Sequence, residues 1–511
     1  MNIKQAKEEI KNTIQAYLQK DSYGNYKIPT VHQRPVLLIG APGIGKTAIM
    51  EQIARECNIG IVSYTITHHT RQSAIGLPFI QKKIYAGKEY SVTEYTMSEI
   101  IASVYEKIEM TGLSEGILFI DEINCVSETL APAMLQFLQN KTFGTHQVPE
   151  GWIIVAAGNP PEYNKSVREF DIVTLDRVKK IEVKEDFTIW KEYAYKESVH
   201  SAILSYLEIK KEHFYTIETT VDGKYFVTAR GWEDLSRMMV VYQQLDISID
   251  EGVIYQYVQH RAIAKDFANY LDLYYKYKND YHVHEILQGH ISKNALEKLS
   301  SSSFDEKLSV IGLLLSRLGE SFKKVYSMNL FVTTLHGILM QIKPLLLSEQ
   351  TPAYEIITKT IQEQTKRLEH QKIANLLEPL EIQSRSKVLE TLEQYQKNIK
   401  ENNIKNGIAA FEAIKQNFSL SVTQRKEEID KTARYLNNAF VFLEKAFGEN
   451  QELVIFITEL TSNPYSVQFI NENGSEKYYH YNKSLLFQER HKDILQQIHS
   501  ISGILNTLQL D

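Results

Sequence analysis

The octapeptide GAPGIGKT, Gly40 to Thr47, constrains this chain more than any other stretch. It follows the apolar run VLLIG, Val36 to Gly40, and opens a run from Lys46 to about Glu56 with helical periodicity. A strand that passes through glycines into a helix is built to cradle phosphate. The glycines let backbone N–H groups turn inward, and the helix N-terminus adds a field that favours anions. The whole loop, Gly40, Ala41, Pro42, Gly43, Ile44, Gly45, Lys46 and Thr47, is therefore the candidate nucleotide phosphate-binding segment. Lys46 would reach the β- and γ-phosphates, and the Thr47 hydroxyl would ligate Mg²⁺.

The segment ILFIDEIN, Ile117 to Asn124, reads as a buried strand that delivers two carboxylates to its C-terminal edge. Ligands of open α/β sheets bind at that edge. Asp121 would hold Mg²⁺, directly or through water. Glu122 would orient and polarise an attacking water, which hydrolysis needs and a kinase with the same loop would not place there. The next strand, WIIVAAG, ends in AAGNPPEYN, Ala156 to Asn164. There Asn159 could touch the γ-phosphate and the water, although Asn-Pro-Pro also makes a good turn by itself.

Around these motifs the first part of the chain alternates short apolar strands with helical runs, the pattern of a mostly parallel sheet. Further strands are expected at Ile61 to Ile66 and Lys179 to Val183, helices at Met97 to about Glu109 and Ser127 to Asn140, and a hairpin at Phe79 to Tyr95 turning at Ala86-Gly87. Three domains follow from this pass: 1–185 an α/β nucleotide-binding domain with an N-terminal helix, 186–279 a helical lid, and 280–511 a mainly helical C-terminal domain. The lid is interrupted by a hairpin turning at Asp222-Gly223, and the serine run Ser300 to Ser303 marks a boundary. A late hairpin is expected at Val467 to Tyr481, turning at Asn473-Gly474.

With 511 residues, 43% of them hydrophobic and 23% charged, the chain is long enough for several folded domains and excludes a disordered or collagenous class. A net charge of −6 provides no global field for nucleic acid or an anionic membrane. Two cysteines, Cys57 and Cys125, cannot build a disulfide framework and point to a reducing, cytoplasmic setting. The charged N-terminal stretch lacks the apolar centre of a signal peptide, and the longest apolar runs are far short of a membrane span. His68-His69, His282 and His284 lack spaced partners and read as loop histidines rather than metal ligands. Tyr270, Tyr274 and Tyr277 share a helix face that reads as packing of lid against C-terminal domain. The charged helices between Thr358 and Lys405 read as solvated bundle faces, with a protruding coiled coil as the alternative.

Together GAPGIGKT, LFIDEIN, the GNP segment and TARGWEDLS (Thr228 to Ser236) resemble the AAA+ ATPase superfamily, and within it the MoxR-like and dynein-related ATPases of the AAA_5 type. The resemblance covers about residues 25–275, and the Phe79 to Tyr95 hairpin is similar to the helix-2 insert of that clade. It implies a fold class: an α/β core with a parallel five-stranded sheet flanked by helices, followed by a helical lid. It also implies ATP with Mg²⁺ bound between subunits of a homo-oligomeric, hexameric ring that remodels a protein client, such as a protein with a von Willebrand factor A domain. An arginine from one subunit would complete its neighbour's site. LDRVKK (Leu175 to Lys180) matches the segment that carries it, so Arg177 is the candidate, with Arg168 nearby and Val178 where many relatives have Phe. Arg230 matches sensor 2, contacting the γ-phosphate from the lid. The alternatives are an AAA+ motor on nucleic acid, against which the acidic charge and the lack of a recognisable reader argue, and a nucleotide switch that hardly turns over.

Overall fold

The computed structural model describes residues 1–483 except 69–70, 164–166, 168–169, 222, 349–350 and 405. By internal packing the chain falls into two compact units. One comprises Met1–Ile189, Thr228–Arg230 and Tyr354–Asn402; the other comprises Trp190–Val227, Gly231–Ala353 and Asn403 onward.

In the first unit, five strands form one sheet: Val36–Gly40, Gly60–Thr65, Gly116–Asp121, Trp152–Gly158 and Lys179–Val183. Numbered by their place in the chain, they lie in the order second, third, fourth, first, fifth, and every pairing is parallel. Near-continuous apolar runs suit strands covered on both faces. Val36, Leu38, Ile117, Phe119, Ile153 and Val155 point to one face, where they meet Ile49, Met50 and Ile53 of helix Lys46–Cys57 and Ile10 of helix Ile3–Tyr17. Leu37, Leu118, Ile120, Ile154 and Ala156 point to the other, where they meet Ile100 and Val104 of helix Glu99–Thr111 and Met134 and Phe137 of helix Ala131–Asn140. The Trp152 ring closes the N-terminal edge. A Cβ on Gly116 would come within 2.7 Å of it, so that position has room only for glycine.

The hairpin Pro78–Tyr85 with Lys88–Tyr95 forms as expected, turning at Ala86-Gly87. The helices Ala353–Ile373 and Pro379–Glu401 run antiparallel, since Gln396 Nε2 donates to Thr358 Oγ1 over 2.6 Å and Arg385 Nη1 to Gln371 Oε1 over 2.5 Å. Lys107 Nζ of helix Glu99–Thr111 donates to the Ile373 carbonyl over 2.7 Å, tying this helical pair to the sheet domain.

The second unit is helical apart from the hairpin Thr216–Thr220 with Gly223–Val227, whose Asp222 lies outside the described residues. Its axis is helix Phe304–Leu347, 44 residues long. An 18-residue window of this helix has mean hydropathy 1.5, so by length and composition it could cross a membrane, contrary to the expectation from uninterrupted runs. Leu314, Leu318, Phe322, Leu335 and Leu346 are buried along one side of it. Ser303, in the serine run, caps this helix and marks no boundary between compact units. Tyr270 and Tyr274 pack as expected, with hydroxyls 3.1 Å from Ser309 Oγ and 2.6 Å from Ser201 Oγ. The late hairpin does not form. Pro464–Asn473 is a helix with Asn463 as its cap and Pro464 in its first turn, Gly474 at φ +78° ends it, and 476–483 is helical again.

A buried ionic cluster joins helices Phe187–Lys196, Ser201–Ile209 and Gln451–Ser462. Lys191, 5% exposed, donates to Glu208 over 2.8 Å and to Glu459, and the Tyr195 hydroxyl also donates to Glu459. Burial alone would lower the Lys191 ammonium, but the two carboxylates outweigh it and hold it above its ordinary value. Lys191→Met strands two carboxylates and should cost about 3 kcal/mol. Lys191→Met with Glu459→Gln should recover part of that loss, both read by chemical denaturation. Equal stability of Lys191→Met and wild type would show the cluster to be neutral.

Candidate active site

All strands of the sheet run the same way, so their C-terminal ends deliver Gly40, Asp121 and Gly158 to one edge. At that edge the phosphate loop turns through Gly43 at φ +74° and Gly45 at φ +94°, backbone that side chains other than glycine rarely adopt. Gly45 caps helix Lys46–Cys57 without any side-chain bond, leaving the first-turn N–H groups for an anion.

Lys46 is 8% exposed, and its ammonium folds back over the loop. It donates to the carbonyls of Gly40 and Ala41, each over 2.9 Å, and to Asn159 Oδ1 over 2.8 Å. Thr47 Oγ1 donates to Asp121 Oδ2 over 3.0 Å. A hydroxyl and a carboxylate beside the phosphate loop are the hard oxygen donors that Mg²⁺ takes together with substrate phosphates. The residues expected from sequence to act together, Lys46, Thr47, Asp121 and Asn159, do converge.

Glu122 stands at φ +57°, a strained left-handed conformation for a residue with a side chain. Its N–H bonds Asp121 Oδ1 over 2.9 Å, and its carboxylate accepts from the Thr67 hydroxyl over 3.0 Å. Thr67 follows the second strand and belongs to none of the sequence motifs. Asn124, inside the quoted motif but also without an assigned role, donates through Nδ2 to the Asn159 carbonyl over 2.7 Å.

Arg230 lies in the first turn of helix Ala229–Gln244. A Cβ on Gly43 would come within 3.3 Å of the Arg230 Cβ and 3.2 Å of Thr228, so the start of this helix rests on the phosphate loop. Arg230 makes no ion pair among the described residues. Arg177 is placed elsewhere. It precedes Lys179, which pairs with Val36 at the opposite edge of the sheet from Gly40 and Val183. Its guanidinium is exposed and donates to Gln139 Oε1. Four residues of strand, roughly 13 Å, separate the two edges, so Arg177 does not belong to its own chain's phosphate site. Arg168 and His69 lie outside the described residues. Among the described residues no group of three or more His, Cys, Asp or Glu is placed to hold a metal. A cleft of about 630 Å³ in the second unit, lined by His200, Tyr274, Arg317 and Lys323 among others, contains none of the expected site residues.

Burial pushes the Lys46 ammonium down to about 8; Asp121 and Glu122 oppose the shift and Arg230 adds to it. In the free protein Lys46 therefore sheds its proton above about pH 8, whereas contact with phosphate requires the cation. ATP binding at higher pH must take up a proton. The logarithm of Kd should be flat below about pH 8 and climb above it with a slope approaching about one, read by titrating a fluorescent ATP analogue. A flat profile to about pH 9.5 would contradict the lowered pKa of Lys46.

No curated protein matches the chain. Residues 36–177, the stretch that carries the sheet, the phosphate loop and the Asp121-Glu122 pair, match the family model described as ATPase family associated with various cellular activities (AAA). That stretch is similar to an AAA domain, and its parallel sheet and phosphate loop fit the nucleotide-binding core of an ATPase of the AAA+ type.

Proposed function

We propose that this chain binds ATP with Mg²⁺ and hydrolyses it at the interfaces of a homo-oligomeric ring, in the manner of the MoxR-like ATPases, to remodel a protein client in the cytoplasm. The observation that carries the reading is the convergence of Lys46, Thr47, Asp121, Glu122 and Asn159 on one sheet edge. Lys46 leaves its carbonyl partners for the β- and γ-phosphates. Thr47 and Asp121 would hold the Mg²⁺, which would supply positive charge to neutralise the phosphate oxygens. Glu122 takes the proton from the attacking water at its carboxylate, and Asn159 orients that water with its amide. The Thr67 bond holds the Glu122 carboxylate until it is needed.

The trans-acting arginine is supported by geometry. Arg177 is exposed at the edge remote from its own chain's phosphate loop, where it can complete only another subunit's site. A protein bearing a von Willebrand factor A domain is the client class that the resemblance suggests.

Two outcomes test this reading. Glu122→Gln should keep ATP but lose turnover by about 10³-fold, and with ATP and Mg²⁺ it should scatter light as an assembly of about six subunits. Wild-type turnover in that variant would sink the assignment of the base, and a monomer with and without ATP would favour a switch over a ring motor. Mixing inactive Arg177→Ala and Lys46→Ala subunits should restore activity at the hybrid contacts, whereas no rescue at any ratio would remove Arg177 from the trans role.

A further inference from the structure

The loop after Asp121 turns tightly, the Cys125 N–H bonding the Glu122 carbonyl over 2.9 Å, and this turn swings Asn124 inward. Asn124 is 5% exposed. Two bonds then tie residues 123–124 to the end of the neighbouring strand: Ile123 N–H to the Ala157 carbonyl over 2.9 Å, and Asn124 Nδ2 to the Asn159 carbonyl over 2.7 Å. Between them lies Gly158, on which a Cβ would fall 2.5 Å from Asn124 Oδ1 and 3.0 Å from its Nδ2. The amide therefore packs directly against the Gly158 backbone. Asn124 Oδ1 is itself buried and has no hydrogen-bond partner among the described residues. Burying an unpartnered acceptor is unfavourable. An apolar side chain of the same size would fill the space without that penalty but would leave the Asn159 carbonyl unheld.

We infer that Asn124 is a positioning residue that locks Asn159 in register with Glu122, joining the loop that carries the catalytic carboxylate to the strand end that carries the γ-phosphate contact. The inference rests on the ATPase reading above. Asn124 acts through its neighbour. Its Nδ2 fixes the Asn159 carbonyl, and Asn159 Oδ1 accepts from Lys46 over 2.8 Å. The donor is essential and the shape secondary. An aspartate in its place has no N–H to offer and would set an anion against a carbonyl, and a leucine keeps the volume but bonds nothing.

The test is a pair of variants, Asn124→Asp and Asn124→Leu, alone and combined with Asn159→Ala, in the full-length chain. The measurements are kcat and KM for ATP, Kd for a fluorescent ATP analogue, and the melting temperature. Each single variant should lower kcat by about 10- to 100-fold while Kd stays within about threefold, because misplacing a catalytic contact by an ångström or less acts on the barrier and not on ground-state binding. Each double variant should be no slower than Asn159→Ala alone, since the two residues act as one unit. Losses that multiply, an unchanged kcat, or a fall in kcat matched by a fall in nucleotide affinity and melting temperature would each overturn the inference. Should one variant fail to fold, the other carries the cycle. Wild-type protein without ATP turnover would overturn the ATPase reading and this inference together, whereas normal wild-type turnover with silent variants would overturn only the latter.

Discussion

The active edge is organised around one buried cation. Lys46 has no carboxylate within ion-pair distance among the described residues; two backbone carbonyls and the Asn159 amide oxygen hold it. Neutral acceptors compensate a desolvated ammonium only in part, and its pKa falls from 10.5 to about 8. At 1.36 kcal/mol per pH unit that shift corresponds to about 3 kcal/mol of unfavourable burial at neutral pH. The loop's left-handed glycines exist to make this placement possible. They curl the chain so that the carbonyls of Gly40 and Ala41 face the ammonium while the N–H groups of the following turn remain for an anion. A triphosphate would replace those weak acceptors with strong ones.

The remaining site chemistry follows from strand direction. In a parallel sheet every strand delivers its last residue to the same edge, so four distant segments of sequence meet without any long loop reaching across. The same rule sends the residues before each strand to the far edge, which is where Arg177 stands. One topological fact therefore separates the groups at the phosphate loop from Arg177. Arg230 reaches the edge by a different route. It sits beside Gly43, on which a Cβ would come within 3.3 Å of the Arg230 Cβ.

How far the sequence anticipated this depends on whether a feature is local. VLLIG, ILFID and WIIVAAG are uninterrupted apolar runs ending in glycine or acid, and each became a buried strand within a residue of its expected bounds. The Ala86-Gly87 turn likewise carries its signal in two residues, both at positive φ. Thr67 and Asn124 were missed because their roles depend on which strands become neighbours, and no spacing within either segment encodes that. The Asn473-Gly474 pair misled for a related reason. A glycine at positive φ ends a helix as readily as it turns a hairpin, and Asn463-Pro464 upstream had already committed the chain to helix. Nor could periodicity place Tyr354–Asn402, expected as part of one domain over 280–511, in the compact unit of the nucleotide-binding sheet. Such amphipathic helices show that they bury a face, not against what.

Three unfavourable features crowd the same few residues: the charge on Lys46, the left-handed Glu122, and the unpartnered oxygen of Asn124. Strain of this kind costs about 1–3 kcal/mol per residue, as does an orphaned buried acceptor. Elsewhere the sheet domain has apolar faces covered on both sides and glycine where Trp152 demands it, but local rules are broken there too: Lys141 is buried at φ +56°, and Trp152 Nε1 is buried without a partner among the described residues. Where Lys46, Asp121, Glu122 and Asn159 meet, the breaks have one direction. Each fixes a polar group at a point where it is poorly satisfied by the protein alone. A site so arranged gains most when a ligand supplies the missing partners, because the cost of ordering has already been met in folding. The constraint that makes the free domain less stable there is thus the one that would favour a polyanion, under the proposed ATPase function, at this edge.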